Sequence, residues 1–417
     1  MKKFIIVSLL LILCLSAKES YATSIAGCDI TYKCIDSLKF EFSLNLYRYC
    51  GGDSLKNIEQ ITVRCGSTTR NVTLSRSSIT DITPLCPSAS VRCNPSNTKG
   101  TGVGIEKHVY KGILDFNTTP LNSFSSCSSN VIVSASINSR SSSITTGPTG
   151  TLYNDVEIDL KDAPTNSSPQ FTSDPVILLF NDSPFRYNLG ALDTADQDSL
   201  SYSFGHPRSA YGVNVNYSSG FSYDKPVTFY DPRWPKGQPP SPNTNPPVGI
   251  YLDSISGDLI FTPTNSSERT VLVLTVTEWR KDSTGTSQII GKSSREVLLI
   301  INYGGANKPP EIDGPFTYSI IEGDTLCFNI TTDDPLVILP PPQPSPPADT
   351  TQLFWNNGIP GATFTILSAT AIHKTGRFCW SPPIGSSRTL PYTFTAHVED
   401  NNCQIKGEAS RMFMVKV

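Results

Sequence analysis

Histidine is scarce in this chain, and that scarcity removes several kinds of chemistry at once. Only His108, His206, His373 and His397 occur in 417 residues. There is no His-Glu-x-x-His pair and no Cys-x-x-Cys pair, so the usual zinc arrangements are missing. A Gly-x-Ser-x-Gly elbow and a Gly-x-x-x-x-Gly-Lys phosphate loop are missing too. No catalytic residue is therefore assigned, and the expectation is that the protein is not an enzyme. Basic runs are absent and the net charge is −3, which excludes a nucleic-acid footprint. Beyond the first residues no run approaches the 18 or so apolar residues that a membrane-spanning helix requires. No amphipathic pattern extends past two helical turns.

What is present begins with a leader. Lys2 and Lys3 precede an apolar stretch at residues 4–15 that only Ser8 interrupts, and Ser20-Tyr21-Ala22 places small residues at a cleavage point. The run has about a dozen residues against the roughly 20 of a spanning helix, so residues 1–22 read as a signal peptide cleaved after Ala22. Its removal takes three lysines and one glutamate and moves the net charge from −3 to −5. The mature chain is expected to be secreted or associated with an outer-membrane cell surface, with no transmembrane segment. Ile25-Ala26-Gly27-Cys28 resembles a lipobox, and a lipoprotein anchored through Cys28 is the alternative.

Ten cysteines remain after the leader, and an exported chain meets oxidising conditions in which they pair. Cys28, Cys34, Cys50, Cys65, Cys86, Cys93 and Cys127 lie before residue 130, and Cys327, Cys379 and Cys403 lie after residue 320. All ten are disulfide candidates. Both groups are odd, so at least one thiol in each is free or pairs elsewhere, and connectivity is open.

Proline (33 residues) with abundant Ser, Thr and Asn suits short strands and turns. Phe40, Phe42, Leu44 and Leu46 alternate with polar residues, as do Val131, Val133, Ala135 and Ile137, and Val156, Ile158 and Leu160. Such a period-two pattern buries one side of a strand. Residues 271–276 and 297–301 are denser branched runs that suit central strands. The fold class predicted is all-β, with tandem β-sandwich domains of Ig-like or cadherin-like type after the signal peptide. Pro and polar clusters at residues 163–169 and 304–310 divide the chain into a cysteine-rich β domain (23–163), a cadherin-like sandwich (164–304) and an Ig- or PKD-like sandwich (305–417). Two proline-rich insertions, at 231–247 and 340–347, read as extended spacers, or as docking loops with Trp234 as an anchor.

Asp193, Asp196 and Asp198 put three carboxylates on one turn, where oxygen ligands can converge on calcium. The theme returns at Asp333-Asp334 and at Glu399-Asp400-Asn401-Asn402. Asp and Asn also favour turns for their own backbone hydrogen bonds, which is the competing role. Among the aromatics, Trp380 beside Cys379 is expected in a core, Trp279 half-buried, and Trp234 and Trp355 are the candidates for stacking on a ligand ring.

Residues 190–202, with their Asp-x-x-Asp-x-Asp-x-Leu-x-Tyr turn, are followed by Asp253-Ser254-Ile255-Ser256-Gly257-Asp258-Leu259 and by the strand ending at Glu278. This order resembles cadherin-like and Ig-like bacterial surface modules. Residues 29–34, 44–50 and 104–110, with Cys327, Phe378-Cys379-Trp380 and Val398-Glu399-Asp400-Asn401-Asn402-Cys403, are similar to Bacteroidota surface proteins of the gliding-motility-associated, type IX-secreted kind. The resemblance implies surface adhesion or motility-related display toward an extracellular protein or glycan, and carries over no catalytic residue. The runner-up is a carbohydrate-binding accessory protein of a polysaccharide-handling system. A secreted hydrolase is the third class, because paired carboxylates leave no mark in linear spacing.

Overall fold

The structure is a computed structural model. It describes all residues except 1–24, 51–53, 86–92, 94–103, 139, 176, 197, 234–236, 303–306, 339–340, 343–344 and 403–404. The signal peptide, Trp234, Cys86 and Cys403 therefore lie outside the described residues. Among the described residues the protein is all-β; a single 3-10 turn at Asn122–Phe124 is the one helical element.

Seven strands build the first region: β1 (Ile25–Asp36), β2 (Lys39–Tyr49), β3 (Ile58–Cys65), β4 (Thr68–Asp81), β5 (Ile105–Asp115), β6 (Val131–Ile137) and β7 (Leu152–Ile158). They neighbour one another in the order β1-β2-β5-β4-β3-β6-β7. The period-two residues do what their spacing requires: Phe40, Phe42, Leu44 and Leu46 of β2 are all fully buried, with Val131, Val133 and Val156 beside them.

Two long strands, Arg269–Lys281 and Ser287–Asn302, form a hairpin whose residues are buried almost continuously. The outer edge of Ser287–Asn302 receives three strands in succession. Ser293 meets Val156 of β7, Arg295 meets Asp29 of β1, and Ile300 meets Leu178 of a short parallel strand. One 13-stranded sheet thus runs through residues on both sides of the expected break at 163/164.

The cluster at 163–169 is accordingly not an exposed linker. Ala163, Asn166, Ser167 and Ser168 are buried, and Ser168 Oγ accepts from the Tyr32 backbone N–H at 2.8 Å. Backbone polar groups that leave water must be paired, and these pair with β1.

A charged seam explains how the two regions adhere. Arg295 is fully buried and donates from Nε to Asp29 Oδ2 at 2.8 Å, while its Nη atoms reach Tyr187 Oη (3.0 Å) and Tyr47 Oη (3.2 Å). Asn45 Nδ2 supplies the other Asp29 oxygen at 2.6 Å. Next to it Arg140 grips Glu296 through two bonds, at 2.6 and 2.8 Å. Buried charges persist only when paired and hydrogen-bonded on every side, as here.

Residues from about 311 onward form a separate sandwich of two four-stranded sheets. Its core stacks Phe378 on Phe394 (4.5 Å) and Phe394 on Phe413 (5.1 Å), contacts worth about 0.5–1.5 kcal/mol each beyond area burial. It docks on the second region through Arg411 Nε to Asp258 Oδ2 (2.9 Å), Asn188 N to Ser410 Oγ (2.8 Å) and the apolar Met412.

Candidate functional site

Strands Ala191–Leu192 and Ser199–Phe204 hold the acidic turn between them. Asp193 organises it: Oδ1 accepts from the backbone N–H of Asp196 at 3.2 Å and Oδ2 from that of Asp198 at 2.7 Å. Both are local bonds of the kind that make Asp a turn residue. Burial nevertheless pushes the Asp193 carboxyl up to about 6 against these two bonds, with the charges of Asp198 and Asp196 adding to the rise.

Asp198 takes a two-pronged contact from Arg280, Nε to Oδ1 at 2.7 Å and Nη2 to Oδ2 at 2.6 Å. Asp196 turns away and accepts from the Ser167 backbone N–H at 2.7 Å. In its place stands Glu278 of strand Arg269–Lys281, fully buried. One carboxylate oxygen from each of Asp193, Asp198 and Glu278 lies within 4.8 Å of the other two. The sequence expectation of Asp193, Asp196 and Asp198 thus becomes Asp193 and Asp198 with Glu278.

Glu278 is held on one side only. Its Oε1 accepts from Asn166 Nδ2 at 3.0 Å, while Oε2 is buried with no hydrogen-bond partner among the described residues. The residue across the ladder is Gly291, where a Cβ would stand 2.2 Å from Oε2, so the glycine makes room for the carboxylate. Burial, with the three aspartates behind it, drives the Glu278 carboxyl well above the usual range. The signal in the sequence was a carboxylate at the end of a dense apolar run, about 80 residues from the turn it joins.

The acidic turn at Asp400 is committed differently. Asp400 Oδ2 accepts from Asn307 Nδ2 (2.7 Å) and from the Gly407 backbone N–H (2.9 Å), and its Oδ1 from that of Asn402 (2.9 Å), which are turn-closing roles.

Among the described residues, three disulfides join Cys50 to Cys93, Cys65 to Cys127 and Cys327 to Cys379. Cys28 and Cys34 are free thiols, against the expectation that they pair. Cys28 is fully buried in β1, opposite Leu46 and Glu296. A lipid on that sulfur has no space, so the anchor through Cys28 does not fit this fold.

Of the tryptophans, Trp355 is half-buried and packs on Phe364, Phe378 and Phe394 at 5.7–5.9 Å. Trp279 is half-buried and donates to Ser201 Oγ at 2.8 Å. Trp380 is buried against Tyr392, at 4.7 Å. His108 is buried too, its Nε2 2.9 Å from Glu106, and is no surface residue.

These features define an all-β protein with a disulfide framework and a partly unsatisfied carboxylate cluster. No family model matches the chain, and no curated protein matches it. Among solved structures it is similar to the crystal structure of Rst D1-D2, at 10% identity over 60% of this chain and 99% of that one, with a TM-score of 0.17. It is also similar to Dpr2 Ig1-Ig2, solved in complex with DIP-Theta Ig1-Ig3, at 11% identity over 59% of this chain and 97% of that one, with a TM-score of 0.20. At such TM-scores the likeness carries no argument about this chain.

Proposed function

We propose that this chain works outside the cytoplasm, secreted or at a cell surface, as an adhesion or structural protein that presents loops on its β frame to an extracellular protein or glycan. The observation that carries the reading is the set of three disulfides, each between cysteines at least 43 residues apart in sequence. Such bonds persist in oxidising compartments and are rare in reducing ones. Surface attachment linked to gliding is the finer form that the family resemblance implies. The carbohydrate reading needs an exposed flat ring, and Trp355 is half-buried against Phe364, Phe378 and Phe394.

The acidic turn fits this setting. Asp193, Asp198 and Glu278 bring three carboxyl groups together against the single positive charge of Arg280, and one buried carboxyl oxygen lacks a partner among the described residues. A divalent cation would balance the charge and take the orphaned oxygen. Calcium, a hard cation that accepts irregular oxygen cages, is the ion of choice.

The disulfide framework is tested by peptide mapping of protein recovered from the culture medium or the intact cell surface, alkylated without reduction. The three pairs above are expected, with Cys28 and Cys34 alkylated only after unfolding or slowly. The same digest reads the state of Cys86 and Cys403. Recovery from the cytosol with all cysteines reduced would overturn the reading.

A further inference from the structure

A cleft of about 460 Å³ opens where the third region meets the first two. One wall is the outward face of the sheet containing strands Tyr392–Glu399 and Glu408–Lys416. Thr395, His397 and Glu399 alternate along the first of these, and Glu408 stands directly across from Glu399. The opposite wall comes from the end of β4 and the segment after it (Asp81, Ile82, Pro84), with Asp174 beside them. Lys406 N–H donates to Pro84 O at 2.9 Å and ties the two walls at the rim.

The charges here are unequally matched. Glu399 is met by Lys406 at 3.0 Å and Asp174 by Lys107 at 2.7 Å. Glu408 has no hydrogen bond or ion pair among the described residues. Further along the same strand, opposite Met412, Thr395 is 2% exposed, and its Oγ1 is buried with no partner among the described residues. A buried hydroxyl left unpaired keeps its full desolvation penalty. His397 is held neutral by burial, so it adds no competing positive charge near neutral pH. At the mouth Phe354 leaves 47% of its surface exposed and lies against the His397 ring at 6.4 Å.

We propose that this cleft binds a primary alkylammonium group, with the ammonium on Glu408 and its alkyl stem over Phe354. The volume is far larger than a bare metal ion needs, and these carboxylates do not form a tight oxygen cluster like that at Glu278. An exposed aromatic face and an unpaired carboxylate lining one cleft, on the two strands that flank Tyr392–Glu399, suit a cation that carries an apolar body. The chemistry is shared by a free amine and by a lysine side chain on a partner. This site does not depend on where the protein is displayed, because it is measured on the purified chain.

Ionisation gives an independent handle. Burial first, and then the charge of Glu399, push the Glu408 carboxyl up to about 7, with Asp174 and Asp400 adding to the rise and Lys406 opposing it. Those groups, with His397 on the same sheet and Asp81 and Lys107 on the facing wall, are the titratable neighbours. An ammonium ligand requires the ionised form, so affinity should fall about tenfold between pH 8 and pH 6.

The test is calorimetric or NMR titration of the full chain with n-butylammonium and with Nα-acetyl-lysine amide, using N-butylacetamide as a neutral counterpart. Binding of both ammonium probes, none of the neutral one, and the tenfold pH dependence are expected. Binding of the amine but not the lysine probe would assign free amines, and the reverse order of affinity a peptide partner; either supports the site. Glu408→Gln, which is isosteric, should weaken binding at least tenfold without lowering the melting temperature. Phe354→Ala should weaken it less. Equal binding of the neutral probe, no binding at millimolar concentration by folded protein, or an unaffected Glu408→Gln variant would overturn the proposal.

Discussion

Residue Arg295 concentrates the stability argument at the smallest scale. It has four polar partners, Asp29, Tyr47, Tyr187 and the carbonyl of Ser173, and no access to water. Removing one member of such a buried pair strands the other, at a cost of about 3–5 kcal/mol. Asp29→Asn and Arg295→Met are each expected to lower unfolding stability by that order in urea titrations. The double change Asp29→Leu/Arg295→Met is expected to lose less than the sum of the singles, because no lone charge remains. Additive losses would mean that the two side chains do not act as a pair. Asp29 was legible in the sequence only as part of a family likeness, and Arg295 not at all. Charge pairing across about 266 positions leaves no periodic trace, and a buried Arg in a branched run looks like an exposed one.

Elements show a similar division. The alternation in β2 and β6 was legible because each side chain's face is set by its neighbours two residues away. The ladder that receives β1 was not. It depends on Gly27, where a Cβ would stand 2.6 Å from the Glu296 carbonyl oxygen and 3.2 Å from the Tyr47 ring. Gly27 pairs with Val297 just where the β1–β2 register shifts. A side chain there must push β1 away from Ser287–Asn302, and overpacking of this kind costs about 1–3 kcal/mol. Gly27→Val is expected to lower the denaturation midpoint correspondingly, and to speed hydrogen exchange at the amides of residues 27–29 and 295–297. Unchanged exchange there would show that the strands separate without penalty. The acidic turn sits between these cases: Asp193 and Asp198 were visible in one window, whereas Glu278 reaches them only because Arg269–Lys281 pairs with Ser199–Phe204.

Across the whole molecule, several carboxyls are pushed up, in each case by burial first. Asp193 and Asp400 rise to about 6, and Asp334 and Glu408 to about 7. The unfolded chain releases these protons near pH 4. Between about pH 4 and about pH 7 the folded state therefore holds more protons, and stability falls as pH rises through that window, levelling above it. In chelator, the melting temperature should be higher near pH 5 than near pH 7.5. Calcium should recover part of the difference near pH 7.5, since a ligand bound only by the folded state stabilises it. Glu278→Gln should abolish the calcium effect while keeping the fold. A melting temperature indifferent to calcium would remove the cation from the acidic turn.

The amino-acid sequence alone determined the strand character, the all-β class and the places where turns fall, because these follow from side-chain spacing and backbone chemistry within a few residues. Which cysteines pair, that residues 166–169 are interior, that Glu278 replaces Asp196 in the carboxylate cluster, and that a cleft forms around Glu408 were decided by tertiary structure. Each of these rests on contacts between strands tens to hundreds of residues apart, and such contacts are set by how sheets close and pack rather than by any local pattern.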